Sequence, residues 1–315
     1  MITIRTMPAT PGKKAGIGRS GFLKYFDLYL IMAPCLLYFI IFKYIPMGGI
    51  IMAFKNYNIS QGIFGSPWAG FDHFVELFKL EQFYKVLRNT LIISLYKLVV
   101  SFPAPIMLAL MLNEVRNRPF KRIVQTVTYF PNFISWVVVY GILTNLLSLE
   151  HGLLNMAIKS LGGEPVFFLG DNRFFRSVLV FGDMWKWAGI ESIIYLSALT
   201  SIDPEQYEAA RIDGAGRIQQ ILHITLPGIS TTIAIMLIIT LGNILDVGHE
   251  EVIVLYNPVV YETGDVITTY VYRVGIGMMK YSFTTAVGLF MSVVGFILVY
   301  FSNKLSKKIG DYGIW

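Results

Sequence analysis

The chain has 315 residues, of which 55% are hydrophobic and only 15% charged, with a mean hydropathy of +0.59. Soluble domains carry nearer a quarter charged residues, so this balance excludes an ordinary water-soluble domain and points to an integral membrane protein. The net charge of +6 then reads as orientation by basic loops rather than affinity for nucleic acid, and a lone cysteine, Cys35, excludes an intramolecular disulfide and a cysteine-based metal site.

Residues 1–24 are basic, lack an A-x-A cleavage site, and lead straight into a full-length apolar run. They read as a cytoplasmic tail before an uncleaved first helix. Apolar runs of spanning length follow at 26–42, 87–112, 124–147, 177–199, 228–247 and 282–301. Backbone groups find no water partners in lipid, so each run is expected to be a helix. The expectation is therefore an all-α integral membrane protein with six transmembrane helices over 25–303 and a short tail at 304–315.

Six crossings put both ends on one side. The connections on that side hold 14 basic residues, including the short RNRPFKR loop and the KLSKK tail, against 10 in the longer opposite connections. Both termini are thus expected in the cytoplasm. The outer connections, 43–86, 148–175 and 248–281, are rich in Gly and aromatics. They are expected to form lips and short interfacial helices facing a partner outside the membrane.

One inner connection departs from this pattern. The stretch 203–227 is polar, and its acidic Asp203, Glu205, Glu208 and Asp213 outnumber Arg211 and Arg217. Asp203 is a good N-cap, Pro204 suits the first helical position, and Gln206 stands three residues after the cap. A helix from 204 to about 213 is expected, ended by Gly214 in left-handed geometry. A second short helix should cover 216–223 before Pro227 opens the fifth span. Taken locally, this hairpin is either an amphipathic linker resting on the membrane or a docking surface.

Soluble-enzyme chemistry is not evident. No G-x-x-x-x-G-K-[ST] occurs, so nucleotide binding in a P-loop is not expected. GIGRSG at 16–21 matches G-x-G-x-x-G formally but follows a basic tail rather than a strand. His73, His151, His223 and His249 are scattered, and no metal site is expected.

The order E-A-A, three residues, G, nine residues, I-x-L-P reads here as Glu208-Ala209-Ala210, RID, Gly214, AGRIQQILH, Ile224-Thr225-Leu226-Pro227. This pattern resembles the motif of permease subunits of binding-protein-dependent ABC importers, in the maltose-permease-like and polysaccharide-type sugar branch. The stretches VLRNTLIISLYKLVVSFPAPIMLALMLNEV, RIVQTVTYFPNFISWVVVYGILTNLLSLEHGLLN and the segment from Val266 to Lys308 are similar to that branch as well. The resemblance runs from about residue 24 to the end.

It implies the MetI-like fold of type I importers in a bacterial inner membrane, with a hairpin that docks on a cytoplasmic ATPase. Glu208, Ala209, Ala210, Arg211, Asp213, Gly214, Ile224, Leu226 and Pro227 would carry that coupling. Implied partners are a second homologous permease, two ATPase subunits holding ATP and Mg, and a solute-binding protein that delivers an oligosaccharide. This chain itself would bind no cofactor and catalyse no reaction.

Charges inside spans are costly and face a polar cavity or a partner helix. Lys97, Asp183, Lys186, Glu191 and Asp246 are such charges. Asp183 and Lys186, three apart on one helical face, can simply pair. The other reading is a polar translocation path lined by Lys97, Asp183, Lys186, Trp187, Asn243 and Asp246. Lysines there would favour an acidic saccharide, such as alginate or pectin fragments. Two other classes fit the composition: an ion-coupled secondary transporter, which would not need the E-A-A hairpin, and a membrane scaffold without transport activity.

Overall fold

The computed structural model describes residues 25–310, and the expected tail at 1–24 and the end of the other tail lie outside them. The chain divides into two compact units, one ending at Ile51 and one beginning at Met52. The first is the body of a long apolar helix, α1 (Phe26–Phe54). No residue of its Phe26–Phe39 stretch is buried.

In the second unit, helices account for nearly all regular structure among the described residues, with one isolated β-bridge between Lys55 and Trp68. In chain order they are α2 (Asp72–Lys79), α3 (Glu81–Val100), α4 (Pro103–Glu114), α5 (Arg118–Tyr129), α6 (Trp136–Leu147) and α7 (Leu153–Ser160). Then come α8 (Phe175–Leu199), α9 (Pro204–Ile212), α10 (Arg217–Gly228), α11 (Ser230–Gly242), α12 (His249–Leu255), α13 (Ile267–Tyr272) and α14 (Tyr281–Gly310).

Among the described residues, three helical stretches are long and apolar enough to cross a membrane unbroken: Phe26–Phe54, Glu81–Glu114 (α3 running on into α4) and Tyr281–Lys308. The fourth apolar run forms the 25-residue α8, which is long enough but carries Arg176, Asp183, Lys186 and Glu191. The last helix continues to Gly310, past the boundary expected at 303.

The third and fifth runs are not the single helices expected of each run. The third is broken: α5, continued by a 3-10 turn to Phe133, meets α6 at 109°. The cause is local. Pro131 cannot donate in a helix interior, and Ser135 restarts the helix as an N-cap, its side chain accepting from the Val138 amide at 3.4 Å. The fifth bends by 60° between α10 and α11. Pro227 therefore lies within a helix that begins at Arg217, not at the start of the span.

The second unit packs around α8. Small residues let helices approach to backbone contact, the usual device where lipid gives no hydrophobic drive between spans. A Cβ on Gly189 would lie 1.9 Å from the Thr128 carbonyl oxygen of α5, and one on Gly295 of α14 would lie 2.6 Å from the Gly242 carbonyl oxygen of α11. One apolar cluster joins Ile93, Trp136, Phe175 and Leu179 to Val252 and Val260. A second joins Phe83, Val86, Ile267 and Phe283.

Both clusters include residues of the 248–281 connection. That connection is thus not only an outer lip, because its apolar residues fold back onto the spans. Its polar groups are satisfied there too. Asn89 of α3 donates to the carbonyls of Glu262 at 2.9 Å and Asp265 at 3.0 Å, and Thr90 accepts from the Ile267 amide at 3.0 Å. Asp265, buried, takes a two-pronged contact from Arg273 at 3.1 and 2.6 Å. That carboxylate holds the guanidinium charged above its ordinary range, against the opposing effect of burial.

Candidate functional site

The polar hairpin forms close to where its residues predict. Asp203 caps α9, its carboxylate accepting from the Glu205 amide at 3.0 Å rather than from Gln206. Gly214 takes φ +78°. Its amide bonds the Arg211 carbonyl at 3.1 Å, and the Ala215 amide bonds the Ala210 carbonyl at 2.8 Å. These paired bonds satisfy the last carbonyls of α9 and fix the turn. Gly216 then opens α10, with Gln219 accepting from its amide at 2.7 Å.

The two arms are clasped by Tyr207 and Thr225, whose hydroxyls lie 3.0 Å apart. Thr225 in turn donates to the Gln220 carbonyl at 3.2 Å. The clasp makes the hairpin one body rather than two loose turns. Glu208, Ala209, Arg211, Asp213, Gly214 and Pro227 are exposed, while Ala210, Ile224 and Leu226 are half-buried. Apolar side chains also face outward, with Ile212 at 87% and Ile218 at 73% exposure. Two clefts flank the turn. One of about 510 Å³ is lined by Glu114, Arg116, Glu208, Arg211 and Arg217. The other, about 310 Å³, is lined by Ala210, Asp213, Gly214 and His223.

The charges within the spans are distributed differently from the expectation. Asp183 does not pair with Lys186. It bonds Lys97 of α3 at 3.0 Å. Lys97 also donates to the Val247 carbonyl and to the carboxylate of Glu251 on α12. Glu251 was not anticipated as a partner. The available signal was a carboxylate inside the apolar string EEVIVLY, which demands a partner wherever it is buried.

Lys186 is buried at 4% exposure and is committed to the break in the third span. Its ammonium donates to the carbonyls of Pro131 and Asn132, both at 3.2 Å, and to that of Ile134. It lies over the Trp136 and Trp187 rings at 5.6 and 5.7 Å. The kink frees carbonyls that lipid cannot satisfy, and three ammonium donors meet three of them. That is why Lys186 is unavailable to Asp183.

Lys97, Asp183 and Trp187 line one cleft of about 300 Å³ together with Ser101, Glu191 and Thr240. Asp183, Trp187 and Glu191 are spaced by four along α8, hence on one face. Asn243 and Asp246 belong to a different cleft, between α11 and α14. There the Asn243 amide donates to the Ile239 carbonyl at 3.1 Å, and Asp246 accepts from the Gly248 amide at 3.1 Å. The six candidate path residues therefore fall into three places: the cleft, the span break and the α11–α14 groove.

Comparison with known proteins places this geometry. Two Bacillus subtilis proteins, the polygalacturonan/rhamnogalacturonan transport system permease protein YteP and the protein LplB, are each 45% identical over 288 residues. The match covers 91% of this chain in both cases, with 90% of the first relative and 91% of the second. A chain in the crystal structure of a bacterial ABC transporter involved in the import of the acidic polysaccharide alginate is 44% identical, with a TM-score of 0.85. That match covers 92% of this chain and 98% of the other. A second crystal structure, of bacterial alginate ABC transporter in complex with an alginate pentasaccharide-bound periplasmic protein, gives 44% identity and a TM-score of 0.86 over 94% and 99%. Residues 101–310, which include the hairpin and its Glu208-Ala209-Ala210 motif, match the family of binding-protein-dependent transport system inner membrane components. With relatives so similar over nearly their whole length, this chain belongs to that family of ABC importer permease subunits and is a transport subunit rather than an enzyme.

Proposed function

We propose that this permease subunit carries an acidic oligosaccharide across a bacterial inner membrane, with both termini in the cytoplasm, driven by ATP on two separate ATPase subunits. A solute-binding protein outside delivers the ligand, and a second, homologous permease completes the path. The observation that carries the ATP-driven reading is the clasped, exposed hairpin over 204–223. A rigid body with outward-facing Ile212 and Ile218 suits a protein partner, since water alone gives no reason to hold apolar side chains out. ATP binding closes the ATPases, the hairpins move with them, and the path opens outward to take the ligand. Hydrolysis resets it inward.

The acidic substrate class is supported by the near-full-length likeness to an alginate importer chain and to a polygalacturonan/rhamnogalacturonan permease. It is not supported by free lysines, because Lys186 serves backbone carbonyls and Lys97 is held by two carboxylates. Within the membrane, the Lys97–Asp183–Trp187 cleft is the favoured passage: it combines hydroxyl-binding carboxylates with an aromatic face for sugar C–H groups. The test is ATPase activity of the reconstituted complex across a saccharide panel. Stimulation by uronate oligomers with binding protein, and not by neutral oligomers, is expected. Equal stimulation by neutral oligomers would refute the acidic class.

A further inference from the structure

The segment 55–71, between α1 and α2, is a closed loop built around a buried lysine. Lys55, at 6% exposure, sends its ammonium to the Ile63 and Phe64 carbonyls, both at 2.9 Å, and lies over the Trp68 ring at 5.2 Å. The Ser66 hydroxyl donates to the Gly62 carbonyl at 2.6 Å and accepts from the Asn58 amide at 3.0 Å. At the neck, the Asn56 amide bonds the Pro67 carbonyl and the Ala69 amide bonds the Phe54 carbonyl, both at 2.9 Å. The tip thus satisfies its own carbonyls from within. Its apolar side chains stand outward: Phe64 is 92% exposed, Phe71 69%, Trp68 66% and Ile59 64%. The stretch 56–71 holds no charged residue. Phe71 also begins an exposed stripe with Val75 and Phe78 along α2, while Leu77 of the same helix is packed in the core. The apolar arc of α2 is therefore wider than the core covers.

The loop is tied to a definite depth. Ser282 stands at the start of the last apolar run, 282–301, in the first turn of α14. Its hydroxyl accepts from the Tyr57 amide at 2.8 Å, and the Tyr57 and Tyr281 rings meet edge to face at 6.0 Å. Lys280 lies 3.6 Å from Glu76 of α2. A helix needs about 20 residues to span the hydrocarbon core, so this level is the boundary of that core with the headgroups. We propose that the 55–71 loop and the exposed stripe of α2 form an interfacial anchor, which sets Ile59, Phe64, Trp68 and Phe71 into the headgroup–acyl boundary of the outer leaflet. Aromatic and aliphatic side chains are stable at that depth, and backbone there needs partners within the protein. The Lys55 and Ser66 contacts supply them, whereas a loop in water can leave its carbonyls to water. A protein-docking face would carry a polar, charged rim to set its register. Here the flanking charges in the chain are Lys55, folded inward, and Asp72. The segment is thereby withdrawn from the surface open to a solute-binding protein. The choice of leaflet rests on the orientation proposed above, but the insertion does not.

The test uses the full complex in proteoliposomes, with Cys35→Ala removing the lone cysteine of this chain and with partner subunits that hold no accessible cysteine. Phe64→Cys carries a fluorescent label, and Glu164→Cys, at an exposed position of the 148–175 connection, is the control. The quenchers are a phospholipid bearing a nitroxide near its headgroup and aqueous iodide. The label at 64 is expected to lose most of its emission to the nitroxide lipid and little to iodide, with the reverse at 164. That pattern should hold whether or not ligand-loaded binding protein is added. Ile59→Cys, on the other shoulder of the loop, reads the same surface if the label at 64 blocks assembly. Lys55→Met keeps the stem but frees two carbonyls, so lipid quenching at 64 should fall and iodide quenching should rise. Iodide quenching that dominates at both 59 and 64 would overturn the anchor, as would shielding from iodide that appears only with loaded binding protein. Lipid quenching unchanged by Lys55→Met would overturn the role given to the buried lysine.

Discussion

Replacing Gly214 by valine tests the hairpin as a mechanical element. The residue sits at φ +78°, and a Cβ built there meets nothing within 4 Å. Crowding therefore contributes nothing, and the whole penalty is backbone strain. A left-handed L-residue costs roughly 1–2 kcal/mol, more for a β-branched one. Relieving the strain means rotating out of the turn, which breaks the Gly214–Arg211 and Ala215–Ala210 bonds. One to two kcal/mol lowers the ratio of correctly bent to unbent hairpin by about fivefold to thirtyfold. Uptake of a labelled oligosaccharide by the reconstituted complex should fall, at most by that factor, while membrane insertion, set by the spans, is unaffected. Gly214→Asn, whose side chain tolerates the left-handed region, should stay near the unmodified rate. Uptake by Gly214→Val equal to that of the unmodified complex would refute the reasoning.

Two further expectations concern the spans. Gly189→Ala drives a methyl group to 1.9 Å from the Thr128 carbonyl oxygen. Because the neighbour is backbone, α5 or α8 must shift, at a cost of about 1–3 kcal/mol or more. The monodisperse fraction in detergent should drop, and an unchanged elution profile and melting temperature would contradict the close approach. Lys186→Met keeps the stem but removes the ammonium from three carbonyls. Each orphaned group costs about 1–3 kcal/mol, so the melting temperature should fall clearly, whereas stability equal to the unmodified protein would show that those carbonyls find other partners.

What could be read in the sequence follows the range of the interactions concerned. The hairpin was legible because its determinants are local: a capping Asp203, Pro204 at the first helical position and Gly214 at the stop. The apolar runs were legible because lipid imposes one solution on the backbone. The break in the third span was written in Pro131 and Ser135, but the length of the apolar run masked it. The partners of the buried charges were not legible. Lys97 meets Glu251 across 154 residues and Asp183 across 86, and no periodicity connects such positions. Asp183 and Lys186 looked like a pair because helical spacing was the only geometry available. The carbonyls that claim Lys186 exist only once the third span has broken.

That break bears on how the chain enters the membrane. The two halves of the third span, Arg118–Phe133 and Trp136–Leu147, reach about 24 and 18 Å at 1.5 Å per residue, each short of a bilayer core of roughly 30 Å. Neither half is a good insertion signal, and the carbonyls at the joint are unsatisfied until Lys186 is made, 55 residues after Pro131. The third span is thus poorly suited to leave the insertion machinery alone. It is expected to wait for the fourth and to enter lipid with it as a pair, so that truncation before Lys186 strands a segment already synthesised. Lys186, read from the sequence either as a partner of Asp183 or as part of a polar path, is then expected also to set when the third span can enter lipid.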